Sequence, residues 1–524
     1  MLAVAALVAT VLSTPPGSSS VAPASEFTGA QEASLIATTL DLDTLGGRYS
    51  SATAVDGTVV AGYWRTTSDE FRAFAYDLAA PEPEMHDLGT LGGDSSYAVA
   101  VAGSVVVGTS STAAGDQHAF AYDLAAAEPE MLDLGTLGGS SSLATAVDGT
   151  VVVGGASTAA GVNHAFAYDL AASEPVMQDL GSLGEGGSTA TALDGTIVAG
   201  YSLGATGAPT EPYKRRAFAY DLAATDPEMV DLGTLGGSES FAKAVDRGVV
   251  VGRSDTTANP EHAFAYDFAG PQPAMQDLGT FDGDQYSQAV AMDGTIVVGE
   301  SSPAGRYYPR AFAYDFAAPE PAMQDFDTLG DAKTWATAIA GNVVVGRWRL
   351  LKQTAGHAFA HDLGTNNPRT LGLGTWRGSE ALAVDGDVVV GWATYASGSH
   401  ATAWILRETT RPMIAFGRLD QQVKESAGRV TVEVIRYGDT DRAVTVRYRT
   451  RGQTAEAGQD FEATSGKLRF APGTTSRSFT VRVTNDNRRE RKKEFLLMTL
   501  SRPGSPALLG SPKWSQLRIR DNDR

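Results

Sequence analysis

Residues 118–154 read HAFAYDLAAAEPEMLDLGTLGGSSSLATAVDGTVVVG, and close copies of this stretch recur along the chain. Its central element, Met131 to Gly139, has seven relatives. Their Asp-Leu or its equivalent begins at Asp41, Asp87, Asp179, Asp231, Asp277, Asp325 and, degenerate, near Leu371. The element Ala146 to Gly154 also occurs eight times, ending at Gly62, Gly108, Gly154, Gly200, Gly252, Gly299, Gly346 and Gly391. The Ala-Phe of His-Ala-Phe-Ala-Tyr-Asp, or its equivalent, falls at positions 73, 119, 165, 217, 263, 311, 358 and 401. The spacing is mostly 46 residues, stretched once to 52 by an insertion around positions 206–214. A fixed period of this size marks a repeat array or a propeller, not a single ordinary core.

Each unit reads as four short strands. The Asp-Leu-Gly-Thr-Leu segment supplies one. Val-Asp-Gly-Thr predicts a hairpin, since Asp-Gly between apolar runs suits a type I′ turn with positive φ at both central residues. Val-Val-Val-Gly is β-branched and fits a buried strand. His-Ala-Phe-Ala-Tyr-Asp alternates small with aromatic residues, as a fourth strand would. Four strands in about 45 residues is the size of a propeller blade. The expected fold is therefore all-β: an eight-bladed β-propeller over residues 41–406, with a β-solenoid as the alternative. The repeated tripeptide resembles the extracellular HAF repeat family, over roughly residues 41–406. Arg72, Arg216 and Arg310 replace the His, and His400-Ala401-Thr402 loses the Phe. That resemblance implies no reaction.

After a linker at 407–412 the pattern changes to alternating strands such as Arg429–Arg436 and Ala443–Tyr448, which predicts an antiparallel β-sandwich over residues 413–524. Glu425-Ser426-Ala427-Gly428, Thr454 to Phe461, Gly466 to Phe470, Asn485-Asp486, Glu490, Glu494-Phe495 and Asp521-Asn522-Asp523 follow in the order of a Calx-β domain, which this segment resembles over residues 413–523. The resemblance implies Ca²⁺ at one end of the sandwich. Its ligands would be Glu425, Asp460, Asp486, Glu490, Asp521 and Asp523, with Asn485 and Asn522 as weaker donors. Ca²⁺ takes six to eight oxygens in flexible geometry, which carboxylates on separate loops can supply. Lys493 stands where a carboxylate would be expected, so binding should be weak.

The chain carries 41 Lys and Arg against 61 Asp and Glu. From Arg407 onward basic residues exceed acidic ones 24 to 14, and before it the balance is 17 to 47. The acidic repeat block repels nucleic acid and anionic membrane. There is no cysteine, which excludes disulfides and thiol chemistry. The run Leu2 to Leu12 is too short to span a bilayer, and with Ala22-Pro23-Ala24 after it reads as a signal peptide over residues 1–24. Residues 25–40 read as a linker.

Five of the seven histidines (118, 164, 262, 357 and 400) occupy one position of the unit. Catalysis needs a residue once, so the repetition predicts a structural hydrogen bond between blades, which Arg can also make. The Asp after Tyr (77, 123, 169, 221, 267, 315) reads as a turn cap. Asp56, Asp148, Asp194 and Asp385 read as hairpin residues. No nucleophile elbow, phosphate loop or HExxH motif occurs. Tyr63-Trp64, Tyr201, Lys214-Arg215, Tyr307-Tyr308, Trp348 and Trp392 break the repeat near the loop that follows Val-Val-Gly, where partners of propellers are held. The expectation is a secreted, non-enzymatic binding or adhesion protein. A protein or glycan partner would sit on the propeller loop face. A propeller enzyme acting on polysaccharide (hydrolase or lyase) and a purely structural cell-surface component are the alternatives.

Overall fold

The computed structural model describes residues 34–203, 214–258, 260–271, 273–305, 308–326, 332–350, 355–364, 370–374, 378–418, 420–485, 494–510 and 512–520. The expected signal peptide over residues 1–24, its expected cleavage point at Ala24 and most of the insertion at 206–214 lie outside them.

The described residues are almost entirely β, with one short 3-10 turn at Glu425–Ala427. The third repeat shows the unit. Gly138–Asp148 pairs with Val151–Thr158, then Asn163–Asp169, then the two-residue strand Gln178–Asp179, all antiparallel. Each Val-Val-Val-Gly strand is thus flanked by a first strand and by the His-Ala-Phe strand. The Asp-Leu-Gly-Thr-Leu segment is not one strand: only its leading residues pair, and the chain then turns at Gly135, whose φ of 75° suits glycine. The first strands of successive units touch in order, from Tyr49–Asp56 through Ser379–Asp385 and back to Tyr49–Asp56. They therefore line the centre, and the short outer strands face away from it.

The apolar clusters lie between units. Val107, Ala119 and Leu134 of the second unit meet Ala144, Val152 and Phe166 of the third. Val390, Ala401 and Ala403 of the last meet Ala52, Val60 and Phe74 of the first. Phe74, Phe120, Phe166, Phe218, Phe264 and Phe312 are 0% exposed, each contributing about 2–3 kcal/mol. The glycine that ends Val-Val-Val-Gly permits a close approach. A Cβ on Gly154 would stand 2.0 Å from the Leu143 carbonyl oxygen, beside a bulge between Ala144 and Ala146.

Two expectations change here. Residues 34–40 are not a linker: Ser34–Asp41 pairs antiparallel with Ser399–Thr409 as the outer strand of the last unit. Leu35 and Ala37 pack on the cluster holding Trp404 and Leu406, so apolar burial recruits the segment and also takes in positions 407–409. The hairpin turn has positive φ only at its first central residue, as at Gly57 (55°) and Gly149 (54°), which is the II′ pattern. Asp56 pairs with Val59 and Asp148 with Val151, so each Asp ends a strand and the turn begins one residue later than Asp-Gly suggested. Only the turn at Arg247-Gly248 has positive φ at both positions (49° and 78°) among the described hairpins of this type.

Beyond Thr409, two sheets face one another. One orders Ser476–Arg482, Arg429–Tyr437, Met413–Phe416 and Leu508–Leu509; the other orders Asp420–Lys424, Trp514–Arg520, Glu494–Ser501, Val444–Gly452 and Ser465–Phe470. Both feed one core that includes Phe416, Val434, Phe479, Val446, Phe470 and Leu517. Trp514 packs outward on Trp348 and His357 of the seventh unit, at 5.8 and 5.4 Å between ring centroids.

Candidate functional site

Two hydrogen-bond systems tie the units together, and others within each unit assign roles to the remaining recurring polar residues. The N–H of Ala119 donates to Ser142 Oγ at 2.8 Å, and that hydroxyl donates to the Gly135 carbonyl at 2.5 Å. Among the described residues the same contact, from the third strand of one unit to the first strand of the next, recurs along the array. Ser50, Ser96, Ser188, Ser240, Ser287, Thr334 and Ser379 accept from Ala401, Ala73, Ala165, Ala217, Ala263, Ala311 and Ala358 at 2.7–2.9 Å. The sequence signal was a serine recurring at 50, 96, 142 and 188, overlooked beside the louder Gly-Gly.

The hairpin aspartates do more than turn the chain. Asp56, Asp148, Asp194, Asp246, Asp293 and Asp385 each accept from a backbone N–H in the next hairpin, at 2.5–2.7 Å. The bond from Gly57 to Asp385 joins the first unit to the last. The post-Tyr aspartates cap turns as expected: Asp123 Oδ1 accepts from the Ala125 N–H and the Ser104 hydroxyl.

The repeated histidines act within a unit, not between blades. His118 Nδ1 lies 2.9 Å from Asp133, and the pair recurs as His164–Asp179, His262–Asp277 and His400–Asp41. The third and fourth strands are adjacent in one sheet, which puts each His opposite the Asp of its own unit. Arg310 makes the equivalent bond to Asp325 at 3.2 Å, so Arg does substitute there. The ring of His357, whose unit has no matching Asp, lies tilted on that of Trp348 at 4.6 Å between centroids. His400 differs in one further respect: Ser397 Oγ lies 3.0 Å from its Nε2.

With so much of the unit repeated, one cross-strand pair stands out. Next to the repeated Ala–Gly pairing, positions on the first and second strands hold Leu143/Gly155, Thr189/Tyr201, Phe241/Arg253, Gln288/Glu300 and Trp335/Arg347. These residues lie toward the end opposite the Asp-bearing hairpins. Second-strand residues meet first-strand residues of the next unit: Tyr63 lies 5.4 Å from Tyr97, Tyr201 stacks on Phe241 at 4.7 Å, and Arg347 pairs with Glu380 at 3.4 Å. Burial and the adjoining Tyr63 hydroxyl push the Tyr49 phenol up, so it stays protonated. A cavity of about 540 Å³ opens at the fifth and sixth units between Arg253, Glu261, Tyr286, Gln288 and Glu300. Of the expected repeat-breaking anchors, Tyr63, Tyr201 and Trp392 lie on this rim. Trp64 and Trp348 are buried in seams, and Tyr307 lies outside the described residues. Tyr97, Phe241 and Trp335 were missed, because on a first strand they read as ordinary alternation.

In the C-terminal part, Glu425 is buried in the turn after Asp420–Lys424. The Gly428 carbonyl accepts from the Val483 N–H, and the Asp460 carbonyl from the Thr484 N–H, both at 3.0 Å. Register sets Lys424 beside Arg520 and Glu494 beside Ile519. Glu425, Asp460 and Asn485 therefore belong to one end of the two sheets, where the strand Trp514–Arg520 also ends. Asp460 Oδ2 accepts from the Glu456 N–H at 2.6 Å. Asp486, Glu490, Asp521 and Asp523, with Lys493 and Asn522, lie outside the described residues. Among the described residues no three His, Cys, Asp or Glu side chains come together as a metal set.

The fold is thus all-β, a propeller-like array of four-stranded units followed by a two-sheet module. Residues 408–523 match the model of the Calx-beta domain. That segment resembles the sodium/calcium exchanger Calx of Drosophila melanogaster (34% identity over 101 residues, 19% of this chain and 10% of that protein). It also resembles the extracellular matrix organizing protein FRAS1 of Mus musculus (30% over 136 residues, 25% of this chain and 3% of that protein). The chain therefore spans only a small part of these relatives. Among solved structures, the apo-form Calx CBD1 domain is 31% identical, covering 22% of this chain and 99% of its own, with a TM-score of 0.21. The β-propeller domain of the Trilobed protease from Pyrococcus furiosus covers 62% of this chain at 10% identity and a TM-score of 0.40. No helix among the described residues is long and apolar enough to cross a membrane.

Proposed function

We propose that this is a secreted binding protein of the adhesion type. Its eight HAF-like units close into one eight-bladed β-propeller with a variable rim that holds a partner, and its C-terminal Calx-β sandwich takes Ca²⁺. One observation carries the reading: in an array that repeats its core, seam serines and turn aspartates almost unchanged, the side chains that vary gather on one rim of the inner strands. Packing accounts for sameness, and recognition of an asymmetric partner accounts for difference. The Ca²⁺ ligands would be Glu425, Asp460, Asp486, Glu490, Asp521 and Asp523. The ion would offset the mutual repulsion of carboxylates at that end and stiffen the module. The test is an array of glycans and extracellular proteins probed with the full chain in Ca²⁺ and in EDTA. Binding lost on Tyr201→Ala or Trp335→Ala supports the rim; binding indifferent to every rim substitution sinks it.

A second reading, a hydrolytic propeller, rests on Ser397, His400 and Asp41, whose contacts of 3.0 and 2.9 Å follow the order of a nucleophile, base and orienting acid. Among the described residues the other three His–Asp pairs have no serine on the second ring nitrogen, which favours a structural role for the pair itself. A fluorophosphonate probe decides: labelling abolished by Ser397→Ala would establish the nucleophile, and an unlabelled protein leaves the binding reading.

A further inference from the structure

The cavity between the fifth and sixth units has a chemistry of its own. Its walls carry planar polar groups already paired with one another: Gln288 Nε2 donates to Glu300 Oε1 at 2.6 Å, and Arg253 pairs with Glu261 at 3.3 Å. Glu300 is 8% exposed, so its carboxylate is held in place by the fold. Tyr286 stands at the edge with 42% of its surface exposed. The Arg253 guanidinium lies 5.6 Å from the Phe241 ring centroid, and Phe241 stacks on Tyr201. Tyr286 therefore presents an exposed ring beside the polar side chains of the cavity, while the Tyr201 and Phe241 rings are stacked on each other and covered by guanidinium groups.

We infer that this cavity binds a neutral saccharide residue. The inference rests on the rim reading above and names its ligand. A pyranose presents hydroxyls that both donate and accept, spaced to engage the two atoms of a carboxylate, amide or guanidinium. It also presents a C–H face that packs on an aromatic ring, which the exposed ring of Tyr286 offers. A volume of about 540 Å³ suits one or two sugar rings. Alternative ligands fit worse. Phosphorylated or sulfated ligands meet two carboxylates in a chain of net charge −20. An apolar ligand would leave Gln288, Glu300 and Arg253 desolvated without new partners.

The test is a panel of immobilised oligosaccharides, neutral (glucose-, galactose- and N-acetylglucosamine-terminated) and sulfated, probed with the full-length protein and followed by calorimetry on any hit. The expected result is binding of a neutral glycan, weakened about tenfold or more by Gln288→Ala and by Tyr286→Ala, as loss of a buried hydrogen bond or a stacking face implies. Tyr286→Phe, which keeps the ring, should bind nearly as the parent does. Val176→Ala, an exposed position beside the outer strand of the third unit and away from the rim, should bind as the parent does. Neutral-glycan binding that falls with Tyr63→Ala but not with Tyr286→Ala overturns the cavity and keeps the rim. A defined protein ligand lost on rim substitution, with no glycan bound, overturns the saccharide and again keeps the rim. Binding of any kind that is indifferent to Tyr63→Ala, Tyr201→Ala, Trp335→Ala and Tyr286→Ala alike overturns both readings.

Discussion

Ser142→Ala removes one oxygen from a closed seam, and the structure sets what that should cost. The hydroxyl is 3% exposed, accepts from the Ala119 N–H at 2.8 Å and donates to the Gly135 carbonyl at 2.5 Å. Alanine fills nearly the same space, so the cavity contribution is small. The loss comes from leaving a buried N–H without an acceptor and a carbonyl short of one donor. Each unsatisfied buried group costs about 1–3 kcal/mol, so a total of about 2–4 kcal/mol is expected. Thermal unfolding followed by circular dichroism should show the midpoint of the repeat array lowered by several degrees. Ser142→Thr should restore it, because Thr334 makes the same bond to Ala311 at 2.7 Å in the seventh unit. Ser141→Ala, one residue away and exposed, should change stability by no more than about 0.5 kcal/mol. If Ser142→Ala melts with the parent while Ser141→Ala does not, the seam serines are not what holds neighbouring units together.

Removing residues 34–41 should strip the last sheet of its outer strand and leave Ser399–Thr409 as an open edge, seen as faster proteolysis there and concentration-dependent aggregation. Unchanged proteolysis would mean that closure does not depend on this strand. His361 takes the place of the repeated Tyr, and burial lowers its pKa from 6.5 to about 4. The neutral ring is favoured in the fold, so the stability it contributes is complete above pH 6.5 and is lost as pH falls toward about 4. His361→Tyr should flatten that part of the stability–pH curve, measured by urea unfolding between those limits, and an unchanged curve would exonerate the residue. Ca²⁺ at about 1 mM, with a Kd on the order of 10⁻⁴ M, should stabilise the C-terminal module by about 1.4 kcal/mol. Calorimetry of the full chain should show its transition raised over EDTA, the increment abolished by Asp460→Ala and kept by Glu433→Ala, whose carboxylate accepts from Ser476 at 2.7 Å away from that end. Identical transitions in Ca²⁺ and EDTA would mean a module without its ion.

The period and the strand chemistry of each unit were legible in the chain because they are local. A two-residue turn needs Gly149, a buried strand accepts Val151-Val152-Val153, and alternation in His118 to Asp123 sorts small from aromatic faces. Eight copies of each element could be counted for the same reason, and the acidic positions that match the Calx-beta pattern stood in order along residues 425–523. What the chain alone left open concerns partners far apart in sequence. Ser50 and Ala401, Asp385 and Gly57, and the strand 34–41 against 399–409 meet only because the array curves back on itself. Recurrence of the histidine reports that the residue is structural, not which neighbour it faces, and so it suggests a link between blades where the bond falls within one. Sheet order decides that, and it sets His118 opposite Asp133 of its own unit. The rim likewise appears only in three dimensions: Tyr201 and Phe241, 40 positions apart, stack because the second strand of one unit leans on the first strand of the next.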